Sequence, residues 1–263
     1  MKRTLPFTTL AMALLAILLL CPFHHVNGQA NSSSHPHKVL VLAERGGLHE
    51  PFTARGLAWL ESNKQRFGME LRILESAELL KKGELGQYQL VLQLNHPPYA
   101  WSAASQTEFE HYIDQGLGAY IGFHHATLLG EFDGYGLWSW FSEFMGGIRY
   151  ENYIAEKCDG IVQVEDREHP VMKDLPGTFV IEDDEWYTYN KDPRPKVHVL
   201  AHVDESSYTL PTTIKMGDHP VIWTNETKGA KNVYFQFGHS QKLFDNPVFV
   251  KLLENALRWT LEE

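Results

Sequence analysis

Histidines and carboxylates stand at or just beyond the ends of several predicted strands, and their side chains are the ones that could carry chemistry. Imidazole has an ordinary pKa close to neutral pH, so histidine suits proton transfer beside a carbonyl group. Neutral imidazoles and a carboxylate also bind divalent metals such as zinc, which polarise a carbonyl. The sequence therefore predicts acid–base or metal-assisted chemistry and leaves the choice between them open. The residues concerned are Glu44, His49, His124, His125, Asp184, Glu185 and His239.

Different members of this set suit different roles. The predicted catalytic residues are His124, His125, Asp184, Glu185 and His239. Substrate binding is predicted for His49, Trp186 and Tyr187, although core packing explains most aromatic residues in this sequence. The candidate metal ligands are His49, His125, Glu185 and His239, for zinc or a similar divalent ion. No His-x-x-x-His spacing places two of these ligands on one helix, so the metal interpretation rests on convergence in the fold.

The adjacent pair His124-His125 follows Gly118–Phe123, a run of small, aromatic and β-branched residues that predicts a buried strand. In α/β enzymes with a nucleophile elbow, this strand-to-turn position carries Ser or Cys, and here it carries neither. If the strand continued, the two imidazoles would point to opposite faces of the sheet. At most one of them should then face a pocket, and the sequence leaves open which one.

Apolar runs that alternate with amphipathic segments predict the elements that position these residues. Lys38–Ala43, Tyr88–Leu94 and Gly118–Phe123 are the strongest strand signals, and Ser102–Gln115 and Pro247–Leu261 have helical spacing. Such alternation predicts a single α/β domain with a parallel sheet and helices on both faces. Because parallel strands end at a common edge, we expect the histidines to converge on one pocket there.

The second half of the chain has shorter β-like runs separated by turns rich in Pro and Gly. These features predict an antiparallel C-terminal extension of the sheet. The runs are Gly160–Val164, Thr178–Glu182, Lys196–Ala201, Val221–Thr224 and Asn232–Gly238.

The first 28 residues have the pattern of a secretory signal peptide. Lys2 and Arg3 precede the apolar run Leu10–Leu20, which is short for a membrane span, and the small residue Gly28 suits cleavage. Cys21 raises a lipoprotein alternative, but the bulky Leu20 before it does not suit lipid attachment. We therefore expect export to the periplasm or the extracellular space. Residues 29–37 form a predicted disordered leader, and residues 38–263 form the folded domain.

Composition limits the classes of partner. The 263 residues carry a formal net charge of −10 at pH 7, with no Lys/Arg cluster. An acidic surface disfavours nucleic acid and anionic membranes, so we expect a small molecule as partner, with an oligomer possible. Removal of Cys21 with the signal peptide would leave Cys158 as the single cysteine, so no internal disulfide is expected.

Several motifs resemble the trehalose-utilisation (ThuA-like) family of the class I glutamine amidotransferase-like superfamily, over about Lys38 to Leu261. The most specific motifs lie in the C-terminal third, and others surround the polar groups. They are His219-Pro220-Val221-Ile222-Trp223, Gly229, Val233-Tyr234-Phe235, Gly238-His239, Asn255–Trp259, Gly122-Phe123-His124, Asp184-Glu185 with Tyr187, and, more loosely, His49. The sequence departs from the family in having two histidines after Phe123, and Ala230-Lys231 in place of Gly-Arg.

The resemblance implies a flavodoxin-like, doubly wound, mostly parallel sheet. It also implies a pocket at the position of the amidotransferase nucleophile, where histidine side chains would carry the chemistry instead. Glutaminase activity is not expected, since Cys158 lies well past the elbow. Because family members are linked to sugar catabolism, including keto-disaccharides, the resemblance implies a carbohydrate-active enzyme. A non-catalytic sugar-binding or scaffold module and an unrelated metal-dependent hydrolase remain as alternatives.

Overall fold

The computed structural model describes Met1 and residues 35–99, 101–132 and 134–262. Residues 35–262 belong to one compact unit. The predicted signal peptide, and the leader up to residue 34, lie outside the described residues. Within the described ranges, no helix is long and apolar enough to cross a membrane.

One mixed sheet of nine strands forms the centre of this unit, and a two-stranded ribbon is separate from it. The sheet strands are β1 (His37–Ala43), β2 (Met69–Leu74), β3 (Leu90–Leu94), β4 (Ala119–Phe123), β6 (Cys158–Val164), β7 (Thr178–Asp184), β9 (His198–Asp204), β10 (Pro220–Thr224) and β11 (Asn232–Phe235). The ribbon pairs β5 (Tyr150–Tyr153) with β8 (Tyr187–Tyr189).

The spatial order of the sheet is β2-β1-β3-β4-β11-β10-β9-β6-β7. The first five strands are parallel to one another, and the remaining strands pair in antiparallel fashion. The parallel half has the flavodoxin-like strand order. Its second strand lies on one side of β1, and from β3 onward the strands are added on the other side. The predicted α/β fold, with a doubly wound parallel sheet and an antiparallel extension, is therefore confirmed.

Four α-helices cover the two faces of the sheet within the described ranges. They are α1 (Glu50–Asn63), α2 (Ala103–Asp114), α3 (Ser139–Phe144) and α4 (Pro247–Leu261). On β1, Val39 and Val41 belong to the core cluster with α1 and α4, whereas Leu40 and Leu42 belong to the cluster with α2 and α3. Burial on both faces explains why β1 reads as a continuous apolar run rather than an alternating one.

The structure differs from the sequence predictions at three places. β7 continues through Asp184, so this residue lies in a strand and not in the following loop. Ser76 has the residue type of an N-cap and predicts a short helix with Leu79 and Leu80 facing inward, but the structure has a single 3₁₀ turn, Ala77–Leu79, and Leu79 is exposed. The β5–β8 ribbon has no alternating apolar pattern and was not predicted.

Candidate active site

The polar groups singled out above converge at the carboxyl edge of the parallel strands. His49 precedes α1 after β1, His124 directly follows β4, and His239 follows β11. Glu185 lies in the short connection between β7 and β8. One ligand atom from each of these four residues lies within 4.8 Å of those of the other three. This position, beside the β1/β3 switch point, is where open α/β sheets bind ligands.

The backbone at His124 takes a left-handed conformation, with φ of 40°. Such a value is uncommon for a residue other than glycine and needs support from its surroundings. The support comes from the Tyr234 hydroxyl, which donates to the His124 carbonyl at 3.0 Å, and from Thr127 Oγ1, which donates to it at 3.2 Å. In elbow enzymes this strand-to-turn position carries the nucleophile. Here it carries His124, whose backbone these hydrogen bonds fix.

Both imidazoles of the adjacent pair lie in the same region, in contrast to the sequence expectation. The strand ends at Phe123, and His124–Thr127 form a 3₁₀ turn, so the alternation of a strand no longer applies. The rings of His124 and His125 stack with centroids 5.3 Å apart. The ring of His49 contacts both, with centroid distances of 5.1 Å to His124 and 3.8 Å to His125.

A tight turn brings His239 to the cluster. Gly238 has φ of 155°, and a Cβ at this position would lie 3.0 Å from His124 Cβ and 3.2 Å from Asn95 Oδ1. Asn95 Nδ2 donates to the Gly238 carbonyl at 2.6 Å, and the His239 backbone N–H donates to Asp184 Oδ1 at 3.1 Å. The turn is therefore fixed on both sides, and only glycine fits its narrowest point.

Glu185 Oε2 lies between two imidazoles, 3.2 Å from His124 Nε2 and 3.6 Å from His239 Nδ1. His124 Nδ1 is 2.8 Å from the Gln236 carbonyl, which can only accept, so Nδ1 carries a proton and donates it. Complete burial lowers the pKa of His124 to about 4, so its Nε2 presents a lone pair to the carboxylate.

The imidazole of His49 contacts those of His124, His125 and His239. Burial, followed by the neighbouring His125, His124 and His239, lowers the pKa of His49 to about 2. Its Nε2 is buried and has no hydrogen-bond partner among the described residues. Its Nδ1 lies 3.5 Å from Glu44 Oε2.

Glu44 and His125 form the more solvent-facing side of the cluster, with side chains 23 % and 12 % exposed. Glu44 Oε2 and His125 Nδ1 are 2.9 Å apart but lack hydrogen-bond geometry. Neither atom therefore has a hydrogen-bond partner among the described residues. The ligand atoms of His125, Glu44 and His49 form one set of close neighbours, and those of His49, His124, Glu185 and His239 form another. We call the second set the four-residue group. It contains His124, whereas the metal ligand predicted from the sequence was His125.

Asp184 lies behind the cluster rather than in it. Its Oδ1 accepts from the backbone N–H groups of Glu185 at 2.7 Å and His239 at 3.1 Å. Burial raises the pKa of Asp184 to about 7. Its carboxyl group therefore positions two residues of the cluster, and the catalytic role that the sequence pattern suggests for it stays a prediction.

The two aromatic residues predicted to bind substrate are both buried. Trp186 is fully buried in the core, where its Nε1 donates to the Cys158 carbonyl and its ring packs on Gly160. It therefore presents no face to a substrate. Tyr187 is 3 % exposed, and its ring lies 4.2 Å from that of His124, so it packs against the cluster.

Three residues near the site were not predicted from the sequence. Asn95 and His96 directly follow β3, so the rule that found the other strand-end residues could have found them. Burial lowers the pKa of His96 to about 4, and its Nδ1 lies 3.0 Å from the Pro97 carbonyl. Gln236 contributes its backbone carbonyl to His124, and no side-chain pattern signals such a role.

Comparison with known proteins places this chain in a family. The sequence profile of the family described as trehalose utilisation (ThuA) matches residues 38–260. No curated protein is significantly similar to the chain. Among solved structures, a ThuA-like protein from Bacteroides uniformis ATCC 8492 is 28% identical, with a TM-score of 0.78, and the match covers 88% of this chain and 94% of that one.

Two more distant structures share the fold. A ThuA-like protein from Parabacteroides merdae ATCC 43184 is 16% identical with a TM-score of 0.60, over 86% of this chain and 90% of that one. The carbohydrate deacetylase Agd3 is 10% identical with a TM-score of 0.54, over 83% of this chain and 32% of that one. The fold agrees with the superfamily that the motifs suggested, and the profile match spans nearly the whole described unit. The chain belongs to the trehalose utilisation (ThuA-like) family.

Proposed function

We propose that this protein is an enzyme that acts on carbohydrates, with keto-sugars or disaccharides as its substrate class, and that its active site is the histidine–carboxylate cluster. The observation that carries the proposal is the convergence of His49, His124, Glu185 and His239 within 4.8 Å at the carboxyl edge of the sheet. The carbohydrate class is supported by the family description and by the function of the structural neighbour Agd3.

The energetic cost of this cluster supports catalysis. A buried polar group without a partner destabilises a fold by about 1–3 kcal/mol. Here His49 Nε2 and His239 Nδ1 are both buried and unpartnered within the described residues. A fold that keeps such groups together, and that strongly lowers the pKa values of His49 and His124 beside them, is typical of a functional site.

The more solvent-facing side of the cluster suits proton transfer beside a carbonyl group. His125 and Glu44 form this side, and both side chains are partly exposed. A neutral His125 imidazole can accept a proton from a substrate carbon next to a carbonyl, and the Glu44 carboxylate then stabilises the imidazolium. A proton or a cation bound among the buried acceptor atoms of the cluster stabilises the oxyanion that develops on the carbonyl oxygen.

A sugar-binding module without catalysis is the alternative, and the burial of the two aromatic residues beside Glu185 weighs against it. Trp186 and Tyr187 are both buried, so neither offers a free stacking face.

Turnover of a substrate panel tests the proposal. Purified protein is incubated with disaccharides and their keto derivatives, beside Glu185→Gln and the control His198→Ala, whose imidazole pairs with Asp166 and Glu226 on the surface. We expect turnover by the wild type and by the control, and a loss of about 100-fold or more for Glu185→Gln. Binding of these sugars without turnover would refute the proposal in favour of the binding module. Full turnover by Glu185→Gln would refute the assignment of the histidine–carboxylate cluster as the active site.

The same proposal includes export, which the N-terminal pattern of Lys2, Arg3, Leu10–Leu20 and Gly28 supports. N-terminal sequencing of the protein from its native host tests it. We expect a mature chain beginning near Gln29, and an intact Met1 on a cytoplasmic protein would refute export.

A further inference from the structure

We propose that His49, His124, Glu185 and His239 bind one divalent transition-metal ion of the zinc class. This inference names the cofactor of the proposed active site and rests on the proposed function only for the role of the metal in turnover. The binding of the metal depends on the ligand geometry alone and is testable without a substrate.

The positions of the protons favour a cation at the centre of the cluster. His124 donates its Nδ1 proton to the Gln236 carbonyl, so its Nε2 points at Glu185 as an acceptor. His49 turns Nδ1 towards Glu44 and leaves Nε2 buried and unpartnered. With His49 and His124 neutral, their acceptor nitrogens therefore face the Glu185 carboxylate in the centre of the cluster. A cation is the species that satisfies such an arrangement.

One bound proton satisfies the cluster less completely. If a single imidazole were protonated, it would form an ion pair with Glu185. The remaining buried nitrogens would still lack partners, and among them are His49 Nε2 and His239 Nδ1. A metal ion bonds to all four residues at once, and each imidazole stays neutral, as a metal ligand must.

The separations between the ligand atoms fit the proposed ion. Zinc bonds of about 2.0–2.1 Å in tetrahedral geometry place neighbouring ligand atoms about 3.3 Å apart. Glu185 Oε2 lies 3.2 Å from His124 Nε2 and 3.6 Å from His239 Nδ1, and no pair in the group exceeds 4.8 Å. Small side-chain rotations therefore complete the coordination. A substrate oxygen can join as a fifth ligand, as at catalytic zinc sites.

The surrounding residues hold the ligands as outer partners do in metal sites. Metal-binding histidines commonly donate their second N–H to a carboxylate or a backbone carbonyl. Glu44 occupies this position beside His49, and the Gln236 carbonyl occupies it beside His124. Asp184 accepts from the backbone N–H groups of Glu185 and His239, which fixes the other two ligands.

Metal titration of the purified chain tests the inference. The protein is stripped with a chelator, and Zn²⁺ is titrated by calorimetry and Co²⁺ by visible absorption. We expect one ion per chain, bound more tightly than micromolar, and the intense absorption of Co²⁺ with four or five ligands. For His239→Ala and Glu185→Gln we expect affinity to fall by about 100-fold or more. The control His202→Ala, which removes an imidazole paired with Glu165 on the surface, should bind as the wild type does.

The position of His125 gives a sharper test of the ligand set. His125→Ala should retain one Zn²⁺ per chain, since His125 lies outside the four-residue group. Thermal unfolding of each variant verifies that it is folded, and Glu185→Gln provides a ligand change of nearly constant shape. Loss of the ion in His125→Ala but not in His239→Ala would overturn the ligand set. A folded wild type that binds neither ion tighter than micromolar would overturn the inference.

The outcome for the metal is separable from the outcome for the proposed function. Tight binding of one Zn²⁺ without turnover of any carbohydrate would support the metal site and count against the enzyme assignment. Turnover that survives complete removal of metal would support the enzyme and overturn the role of the metal in turnover, whereas the titration alone decides whether the ion binds.

Discussion

His124 Nε2 lies 3.2 Å from Glu185 Oε2, and this contact joins the two halves of the sheet. His124 follows β4 in the parallel half, whereas Glu185 follows β7 at the end of the antiparallel extension. The candidate site is therefore complete only when both halves are folded. Changes in either half should therefore affect the site.

Glu185→Gln should separate stability from function in the metal-free protein. A glutamine amide can donate to His124 Nε2, so the buried nitrogen gains a partner where it faced a carboxylate. We expect the free energy of unfolding to change by less than about 1 kcal/mol while turnover is lost. Urea unfolding after chelation measures this change. A loss of several kcal/mol would mean that the carboxylate stabilises the fold through a charged histidine instead.

Gly238→Ala should destabilise the turn that carries His239. The new Cβ would stand 3.0 Å from His124 Cβ, on a backbone with φ of 155° that side chains rarely adopt. We expect a loss of about 2–3 kcal/mol in the free energy of unfolding. The matched control is Gly136→Ala, where an added Cβ would have nothing within 4 Å and a change within about 0.5 kcal/mol is expected. Equal effects at the two glycines would contradict this account of the turn.

Tyr234→Phe should weaken the support of the left-handed backbone at His124. The Tyr234 hydroxyl donates to the His124 carbonyl and lies 2.6 Å from Thr127 Oγ1, and its removal leaves these buried groups short of a partner. We expect a loss of about 1–3 kcal/mol by urea unfolding. The control Tyr135→Phe removes an exposed hydroxyl and should change stability very little. An unchanged free energy of unfolding in Tyr234→Phe would show that the hydroxyl does not support the turn.

The metal-free protein should lose stability as the pH falls from about 6.5 to about 4. Burial lowers the folded-state pKa of His124 and His96 to about 4 and that of His49 to about 2, below the ordinary 6.5. In this window the unfolded chain takes up the protons first, so acid favours unfolding. The pKa of Asp184 is raised to about 7, so its protonation in the folded state favours folding as the pH falls. This single group opposes the three histidines and does not outweigh them.

We expect a decrease of about 2 kcal/mol or more in the free energy of unfolding between about pH 7 and pH 4.5, measured in urea after chelation. The surface variant His198→Ala should keep this dependence. A free energy that stays constant or rises on acidification would contradict the placement of neutral imidazoles in the site.

The protein should release no ammonia from glutamine. The elbow position carries His124, and Cys158 is buried at the start of β6, where burial raises the pKa of its thiol. A buried thiol with a raised pKa is a poor nucleophile. An ammonia assay with increasing protein concentration tests the prediction. Release that scales with protein and stops on alkylation of Cys158 would refute it.

The fold and the edge that carries the site could be predicted because both follow from local patterns. Runs such as Lys38–Ala43 are apolar on both faces, and the positions just after them hold the histidines. The membership of the four-residue group could not be predicted. It depends on the left-handed backbone at His124, which distant hydroxyl and carbonyl groups support. Likewise, the burial of Trp186 depends on β7 continuing through Asp184, which the acidic sequence does not signal.

A crystal structure of the zinc-loaded protein, with data collected on both sides of the zinc absorption edge, tests the central claim most directly. We predict one anomalous peak within bonding distance of His49, His124, Glu185 and His239, with Glu44 and Asp184 as outer partners. A peak coordinated by His125 and Glu44 instead, or no peak at this cluster in crystals grown with excess zinc, would contradict the proposed metal site.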